Sequence, residues 1–166
     1  MSASPESGAD EARENAGRAY LPMEAYLPHR GRMALLDAVL AAQPDRIRCA
    51  AAIRPDNPFC RNGGVPAYVG IEYMAQAIGA LVGWQAREAG EPVRVGFLVS
   101  TRKFVCQTPD FPVGATLAVE ARESWRDAEG VGVMDCAIYH PADKIIAEAT
   151  LMVFQPGDLQ AYLTNT

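Results

Sequence analysis

The residues of this sequence that could move protons are few. Glu72 and Gln76 lie four residues apart inside the otherwise apolar segment "GGVPAYVGIEYMAQAIGALVGW". His29, in "LPHRGRM", is one of only two histidines, and imidazole is the side chain that titrates near neutral pH without help. A carboxyl group and an imidazole can together remove one proton from a substrate and deliver another. Glu72 also has a simpler interpretation, as a solvent-exposed partner of a helix dipole in the first turn.

The segment that carries Glu72 is the clearest helix of the sequence, and we predict it from Pro66 to Ala89. Proline suits the first turn of a helix, and Gly90 and Pro92 supply the stop. Apolar residues cover nearly the whole circumference, which is typical of a helix enclosed by other structure. Gln76 then lies one turn beyond Glu72, where it could hold the carboxyl group or bond a backbone group of an enclosing strand.

Strand patterns flank this helix on both sides. "MALLDAVLAAQPDRIRCAAAIR" favours two strands joined by a polar turn. "PDNPFCRNGGVP" favours a loop, because it contains three prolines and two adjacent glycines. Four strand-like runs follow the helix: "VRVGFLVSTRKFVC", "ATLAVEARESW", "GVGVMDCAIYH" and "KIIAEATLMVF". Together these elements predict an α+β fold in which an antiparallel sheet wraps around one long central helix.

Composition narrows the class of protein. A chain of 166 residues with 49% hydrophobic residues fits one globular domain, and a net charge of −5 argues against general nucleic-acid binding. We predict a disordered tail at residues 1–18, which lacks the apolar run of a signal peptide, and a single domain at residues 19–166. No segment predicts a membrane span, and four scattered cysteines without a C-x-x-C pair argue against zinc. We therefore expect a cytoplasmic protein with no metal or cofactor.

Three stretches together resemble the hotdog-fold 3-hydroxyacyl-(acyl-carrier-protein) dehydratases. "LPHRGRMALLDAVL" is similar to that family's opening motif, "IEYMAQAIGAL" to its central-helix motif, and "VGFLVSTRKFVCQTPDFPVGATLAVE" to a strand that ends in basic residues. The segment "DNPFCRNGGVPAYVGIEYMAQA" is most similar to the small dehydratase-like proteins of aryl-polyene pigment clusters. The sequence departs from the family in one place. No histidine lies between Cys49 and Ile71, where the family carries its catalytic base in a "G-H-F-P" segment.

The resemblance implies a set of site residues. Glu72 would be the catalytic acid and His29 the replacement base, with Asp56 as a weaker substitute. The family also carries a non-catalytic histidine at the position of His29, so a structural role is the alternative there. The N–H of Ala67 would bind the thioester carbonyl. The implied substrate-binding residues are Ala67, Gln76, Gly64, Phe59 and Met33, and the implied carrier-protein-binding residues are Arg102, Lys103 and Arg61.

Three functions follow from the resemblance. The first is dehydration of 3-hydroxyacyl or polyenoyl thioesters carried on acyl carrier protein. The second is thioester hydrolysis on the same fold, and the third is a non-catalytic subunit that pairs with a dehydratase or holds acyl chains. An uncovered sheet edge predicts a homodimer, with a heterodimer containing a paralogous dehydratase as the alternative. The substrate tunnel would run along that interface beside the central helix, lined by apolar residues such as Met33, Phe59 and Phe97.

Overall fold

The computed structural model of the chain describes residues 18–164, so the predicted tail lies outside the described residues except for Arg18. This part of the chain holds eight strands, two α-helices and three short 3-10 turns. The turns are Met23–Ala25, Gly31–Met33 and Ala67–Val69. The strands and helices are β1 (Ala38–Gln43), β2 (Arg46–Ala52), β3 (Gly64–Pro66), α1 (Gly70–Glu88), β4 (Phe97–Cys106), β5 (Asp110–Pro112), β6 (Thr116–Arg126), β7 (Val131–Tyr139), β8 (Ile145–Phe154) and α2 (Leu159–Thr164).

Six of the strands form one antiparallel sheet in the order β1-β2-β6-β7-β8-β4, and β3 pairs with β5 in a separate two-stranded sheet. Helix α1 packs across one face of the large sheet, against β2, β6, β7 and β8. Side chains on β2 and β7 alternate between buried and partly exposed, as expected when one face of a sheet covers a core. The predicted α+β fold, with a sheet packed around one long helix, is confirmed.

Helix α1 begins and ends close to its predicted limits. Pro66 precedes the 3-10 turn that leads into the helix, and Gly90 follows its end with a positive φ of 69°, a conformation that favours glycine. The predicted strands on either side are also present. No helix in residues 18–164 is long and apolar enough to cross a membrane.

The N-terminal segment crosses α1 at Gly83. A Cβ atom at this position would lie 2.1 Å from the carbonyl oxygen of Tyr26, so only glycine allows the two backbones to approach this closely. Tyr26 is buried there, and Nε of Arg87 donates a hydrogen bond to the carbonyl of Ala25. These contacts fix the segment that leads into His29 against the helix that carries Glu72.

Strand β4 forms an open edge of the large sheet. Its residues 97–103 are all exposed, although three consecutive side chains at its start are large and apolar. The exposed fractions are 37% for Phe97, 43% for Leu98 and 57% for Val99. We call these three residues the β4 patch. An edge strand with an uncovered apolar patch is a site for pairing with another chain.

Candidate active site

Gln76 anchors the candidate site. Among residues 18–164 it is the only buried polar or charged side chain, with 1% of its surface exposed. The N–H of Leu35 donates to its Oε1 at 2.9 Å, and its Nε2 donates to the carbonyl of Met33 at 2.8 Å. Because a backbone N–H only donates and a carbonyl only accepts, these bonds fix the orientation of the amide. The other N–H of Nε2 donates to Oε1 of Glu72 at 2.9 Å, so Gln76 presents a fixed donor to that carboxyl group.

Glu72 and His29 face each other within one chain. Nε2 of His29 lies 3.8 Å from Oε1 of Glu72, which is within ion-pair range but too long for a direct hydrogen bond. The two side chains are 34% and 38% exposed and line the same cavity. The sequence predicts an enclosed carboxyl group; the structure leaves it half-exposed because its face of α1 borders a cavity and not the sheet. No described residue hydrogen-bonds Oε2, the oxygen that remains for a substrate.

Arg30, the residue after His29, holds the loop that carries His29 through hydrogen bonds. The guanidinium of Arg30 donates to the carbonyls of Glu24, Leu27 and His29, which lie on the same loop. The bonds from Gln76 to the following residues then attach the loop to α1. Nδ1 of His29 is buried and has no hydrogen-bond partner among the described residues. The imidazole is therefore positioned by its backbone, and Nε2 is the nitrogen that faces the cavity.

An apolar cavity of about 290 Å³ extends from this pair along α1. We call it the α1 channel. On the helix side, Ala75, Gly79 and Val82 follow Glu72 at helical spacing and stay partly exposed, although most other positions of the helix are buried. The opposite wall comes from the start of β4, the end of β8 and the residues before β4, and its apolar members are Val93, Val95, Phe97, Leu98, Val153 and Phe154. Arg94, Arg126 and Gln155 add polar groups to the lining, and together with Val82 they also line a neighbouring depression.

Four residues predicted to bind substrate lie outside the α1 channel of this chain. Met33 is 45% exposed and contributes its carbonyl to Gln76, while Phe59 packs against the core. Gly64 lies in β3, where a Cβ atom would meet Asp110 Oδ1 at 3.0 Å. The N–H of Ala67 donates to the carbonyl of Pro109 at 3.0 Å. The predicted role of Ala67 fails for a physical reason: the small β3–β5 sheet already uses the N–H that was expected to bind the thioester carbonyl.

The three predicted carrier-binding cations are exposed and unpaired. Arg61, Arg102 and Lys103 make no hydrogen bond or ion pair through their side chains with any residue in the described range. By contrast, Arg48 and Arg54 each pair with an aspartate. Positive charge that is not neutralised internally is available to an acidic partner.

Asp56 lies away from the channel, and the thiols of Cys49 and Cys136 do not ionise near neutral pH. Asp56 is exposed and accepts a hydrogen bond from Arg32 through its carbonyl oxygen. Burial raises the pKa of the Cys49 and Cys136 thiols to about 12, so neither thiol ionises near neutral pH. These observations leave Glu72 and His29 as the titratable pair at the mouth of the channel.

Apart from Phe97, sequence reasoning did not identify the residues that line the channel beyond Glu72, His29 and Gln76. A signal was present in the small residues Ala75 and Gly79, which share the helix face of Glu72 and leave space beside it. The rest of the opposite wall carries no comparable signal, because it is built from residues that are distant in sequence and meet only through the order of strands in the sheet.

The comparisons with known proteins show which family the chain belongs to. A family model described as ApeP-like, ApeP dehydratase, matches residues 21–164. The chain belongs to this family. None of the curated proteins matches the sequence. The dehydratase resemblance predicted from the sequence is therefore confirmed, and membership places the chain among lyase-type dehydratases.

Several solved structures are also similar to this chain. The dehydratase heterocomplex ApeI:P from Xenorhabdus doucetiae matches at 30% identity with a TM-score of 0.81, covering 89% of this chain and 100% of that one. Zebra fish thioesterase superfamily member 2 matches at 14% identity and a TM-score of 0.59, covering 90% and 97%. A hypothetical thioesterase from Streptococcus pneumoniae TIGR4, solved with coenzyme A, matches at 12% identity and a TM-score of 0.57, covering 72% and 85%. The last two similarities show the fold alone.

Proposed function

We propose that this protein eliminates water from 3-hydroxyacyl thioesters carried on acyl carrier protein, in a polyene or fatty-acid-like synthesis. The observation that carries the proposal is the pair of His29 and Glu72, 3.8 Å apart at the mouth of an apolar channel, in a member of a dehydratase family. An acyl chain would occupy the channel, and its thioester end would lie beside the pair.

The reaction needs two proton transfers at adjacent carbons. A base removes the C2 proton, and the electron pair of that C–H bond forms the C2=C3 double bond. The C3–O bond breaks, and an acid protonates the departing hydroxyl group, which leaves as water. We assign the base to Nε2 of His29 and the acid to Glu72. The two groups are close enough to act on the adjacent carbons of one substrate.

The contacts of Glu72 suit this assignment. Gln76 donates to Oε1, so that oxygen serves as an acceptor and Oε2 is left to carry the proton toward the substrate hydroxyl. After the reaction His29 is a cation and Glu72 an anion, and opposite charges at this distance attract each other. Transfer of the proton from His29 back to Glu72 would restore the starting state for the next turnover.

The test compares Glu72→Gln with Glu88→Gln, a matched change at the exposed end of the same helix. We expect Glu72→Gln to reduce formation of the enoyl product from a 3-hydroxyacyl carrier substrate by roughly 10² to 10⁴, the usual contribution of a general acid. Glu88→Gln should leave the rate unchanged. Product analysis by chromatography and mass separates the alternatives: release of a free acid would show thioester hydrolysis, and retained dehydration in Glu72→Gln would remove Glu72 from the mechanism.

We also infer that the protein functions in an assembly with a second hotdog subunit, a paralogous dehydratase or another copy of itself. The open β4 edge with its patch supports this inference, as does the similarity to a dehydratase heterocomplex. If the chain alone is inactive and gains activity with a paralogue, Glu72→Gln in the complex decides the role of this chain: loss of dehydration would support the site described above, and retained dehydration would support a non-catalytic subunit.

The proposed carrier partner is supported by charge. The protein is acidic overall, yet Arg61, Arg102 and Lys103 carry unpaired positive charge. Phe104, the next residue of β4, approaches the start of α1, because a Cβ atom at Gly70 would lie 3.6 Å from its Cε2. The cations of β4 therefore lie near the helix end that carries Glu72, where a carrier protein would have to deliver its thioester.

A further inference from the structure

We infer that Arg30 is a positioning residue, whose guanidinium sets the orientation of the His29 imidazole and cannot be replaced by the ammonium group of lysine. The guanidinium bonds only to backbone carbonyls of its own loop, so any effect on the reaction must pass through that loop. The inference rests on the proposed function, since its consequence for the rate assumes that His29 is the base.

The imidazole of His29 has no hydrogen bond of its own that would fix its orientation. Nδ1 is buried without a partner in the described part of the chain, and Nε2 is 3.8 Å from Oε1 of Glu72, beyond hydrogen-bond distance. In other proteins, the second nitrogen of a functional imidazole often donates to a backbone carbonyl or a carboxylate. Here the backbone that carries the ring must provide the orientation.

That backbone is attached to α1 on both sides of His29 but not at His29 itself. Before it, Leu27 is buried and packs so closely on the helix that a Cβ atom at Gly79 would lie 2.9 Å from its Cδ2. After it, Gln76 holds the loop through its two bonds to backbone groups. Between these anchors, residues 28–30 form no backbone–backbone hydrogen bond with any residue in the range 18–164.

Arg30 supplies the hydrogen bonds that this span lacks. Nη1 donates to the carbonyls of Leu27 and His29, the latter at 2.8 Å, and Nη2 donates to the carbonyl of Glu24 at 3.1 Å. One guanidinium therefore joins three carbonyls, one of which belongs to His29. The planar fork of arginine can serve several acceptors at fixed angles, whereas the ammonium of lysine is a compact charge on a flexible chain. Lysine at this position would keep the charge and lose the geometry.

Arg30 is exposed, and this separates a positioning role from a structural one. Water can replace the guanidinium at the carbonyls of Glu24 and His29, so Arg30→Lys should leave the fold and its thermal stability nearly unchanged. The orientation of the imidazole should nevertheless relax, because water does not join the carbonyls rigidly. We therefore expect a change in rate without a matching change in stability.

The first measurement follows the imidazole without using activity. The chain has only two histidines, so carbon–proton NMR spectra of protein labelled on the histidine ring contain two sets of signals, and His140 on the β7–β8 turn is the internal reference. Arg30→Lys should shift or broaden the signals of His29 and leave those of His140 unchanged. Arg32→Lys is the matched control and should change neither set, because Arg32 is also exposed but donates its two bonds to the carbonyl of Asp56.

The second measurement asks whether the effect on the rate passes through His29. With a 3-hydroxyacyl carrier substrate and the protein in the assembly that it forms, we expect Arg30→Lys to lower kcat roughly 10- to 100-fold with KM unchanged, because a misplacement of about 1 Å can cost about 10²-fold. Arg32→Lys should leave kcat unchanged. In a double-mutant cycle, Arg30→Lys added to His29→Asn should lower kcat no further, since no base remains to be positioned.

The outcomes separate the positioning role from the proposed reaction. Unchanged signals of His29 in Arg30→Lys, or the same change in Arg32→Lys, would overturn the positioning role, as would a loss of kcat that is equally large in the His29→Asn background. If the signals of His29 respond to Arg30→Lys but His29→Asn eliminates water at the wild-type rate, Arg30 still orients the ring, and the base of the proposed function is wrongly assigned.

Discussion

Gln76 joins two parts of the chain that are far apart in sequence, and its removal tests whether it holds the site together. Gln76→Leu leaves the buried N–H of Leu35 without its partner and also removes the bond to the carbonyl of Met33, which is only partly buried. We expect the free energy of unfolding to fall by about 1–3 kcal/mol, the cost of one buried group without a hydrogen-bond partner. Chemical denaturation measures this change.

The matched control is Gln85→Leu on the same helix. Gln85 is only partly buried and donates one hydrogen bond, to the carbonyl of Pro44, so the loss should be about 1 kcal/mol or less. Gln76→Leu should also lower the turnover number for dehydration beyond the effect of the control, since the loop that carries His29 loses its attachment to α1. Equal losses of stability in both variants would show that Gln76 does not anchor this loop.

At the scale of single residues, the sequence predicted the carboxyl–amide pair because α-helical periodicity places positions 72 and 76 on one face. It could not place His29 beside them. That proximity depends on two contacts: Gly83 allows the N-terminal segment to cross α1, and Gln76 hydrogen-bonds to the loop. Neither contact produces a periodic pattern in the sequence. For the same reason the predicted role of Ala67 failed: its N–H is taken by a carbonyl from the loop before β5.

At the scale of elements, the long strands and the central helix were predictable because each has enough residues to show the spacing of apolar residues that is typical of a strand or a helix. β3, β5 and α2 were not, because elements of three to six residues are too short for a hydrophobic pattern. The segment predicted as a loop at residues 55–66 therefore ends in β3. The pairing of β4 with β8, which leaves β4 at the edge, is likewise a property of the sheet and not of either strand alone.

The open edge of β4 yields a prediction about assembly. We expect Val99→Lys to shift the protein from a complex of two hotdog subunits toward a monomer, because a charged lysine would replace the most exposed apolar side chain of the β4 patch. Leu40→Lys is the control. Leu40 is 50% exposed on β1, the opposite edge of the same sheet, and its replacement should not change the mass.

Light scattering after size-exclusion chromatography, with the chain alone and with a paralogous hotdog chain, measures the result. A wild-type protein that stays monomeric in both conditions would contradict the inferred assembly, as would equal dissociation by the two lysine variants.

At the scale of the whole molecule, the charge distribution would determine how the proposed carrier protein approaches. A net charge of −5 repels an acidic partner at long range, so attraction must come from local unpaired cations. Most of the arginines on the large sheet are neutralised by neighbouring carboxylates, as Arg48 is by Asp143. Arg102 and Lys103 are not, and they lie on the strand that passes the end of α1 that carries Glu72.

Reversing these two charges should therefore weaken recognition of the carrier without changing the chemistry. For the double variant Arg102→Glu and Lys103→Glu, we expect kcat/KM for a carrier-bound substrate to fall roughly tenfold or more at low salt, because electrostatic steering raises association rates by about 10–10³. Turnover of the same acyl group on pantetheine, which lacks a protein surface, should be unchanged.

Lys144→Glu is the control, because Lys144 is an exposed cation on the β7–β8 turn. The difference between variant and wild type should shrink as salt rises to ~1 M, where the Debye length is about 3 Å. An equal loss with the pantetheine substrate would show that the two cations serve the active site itself and not the docking of the carrier.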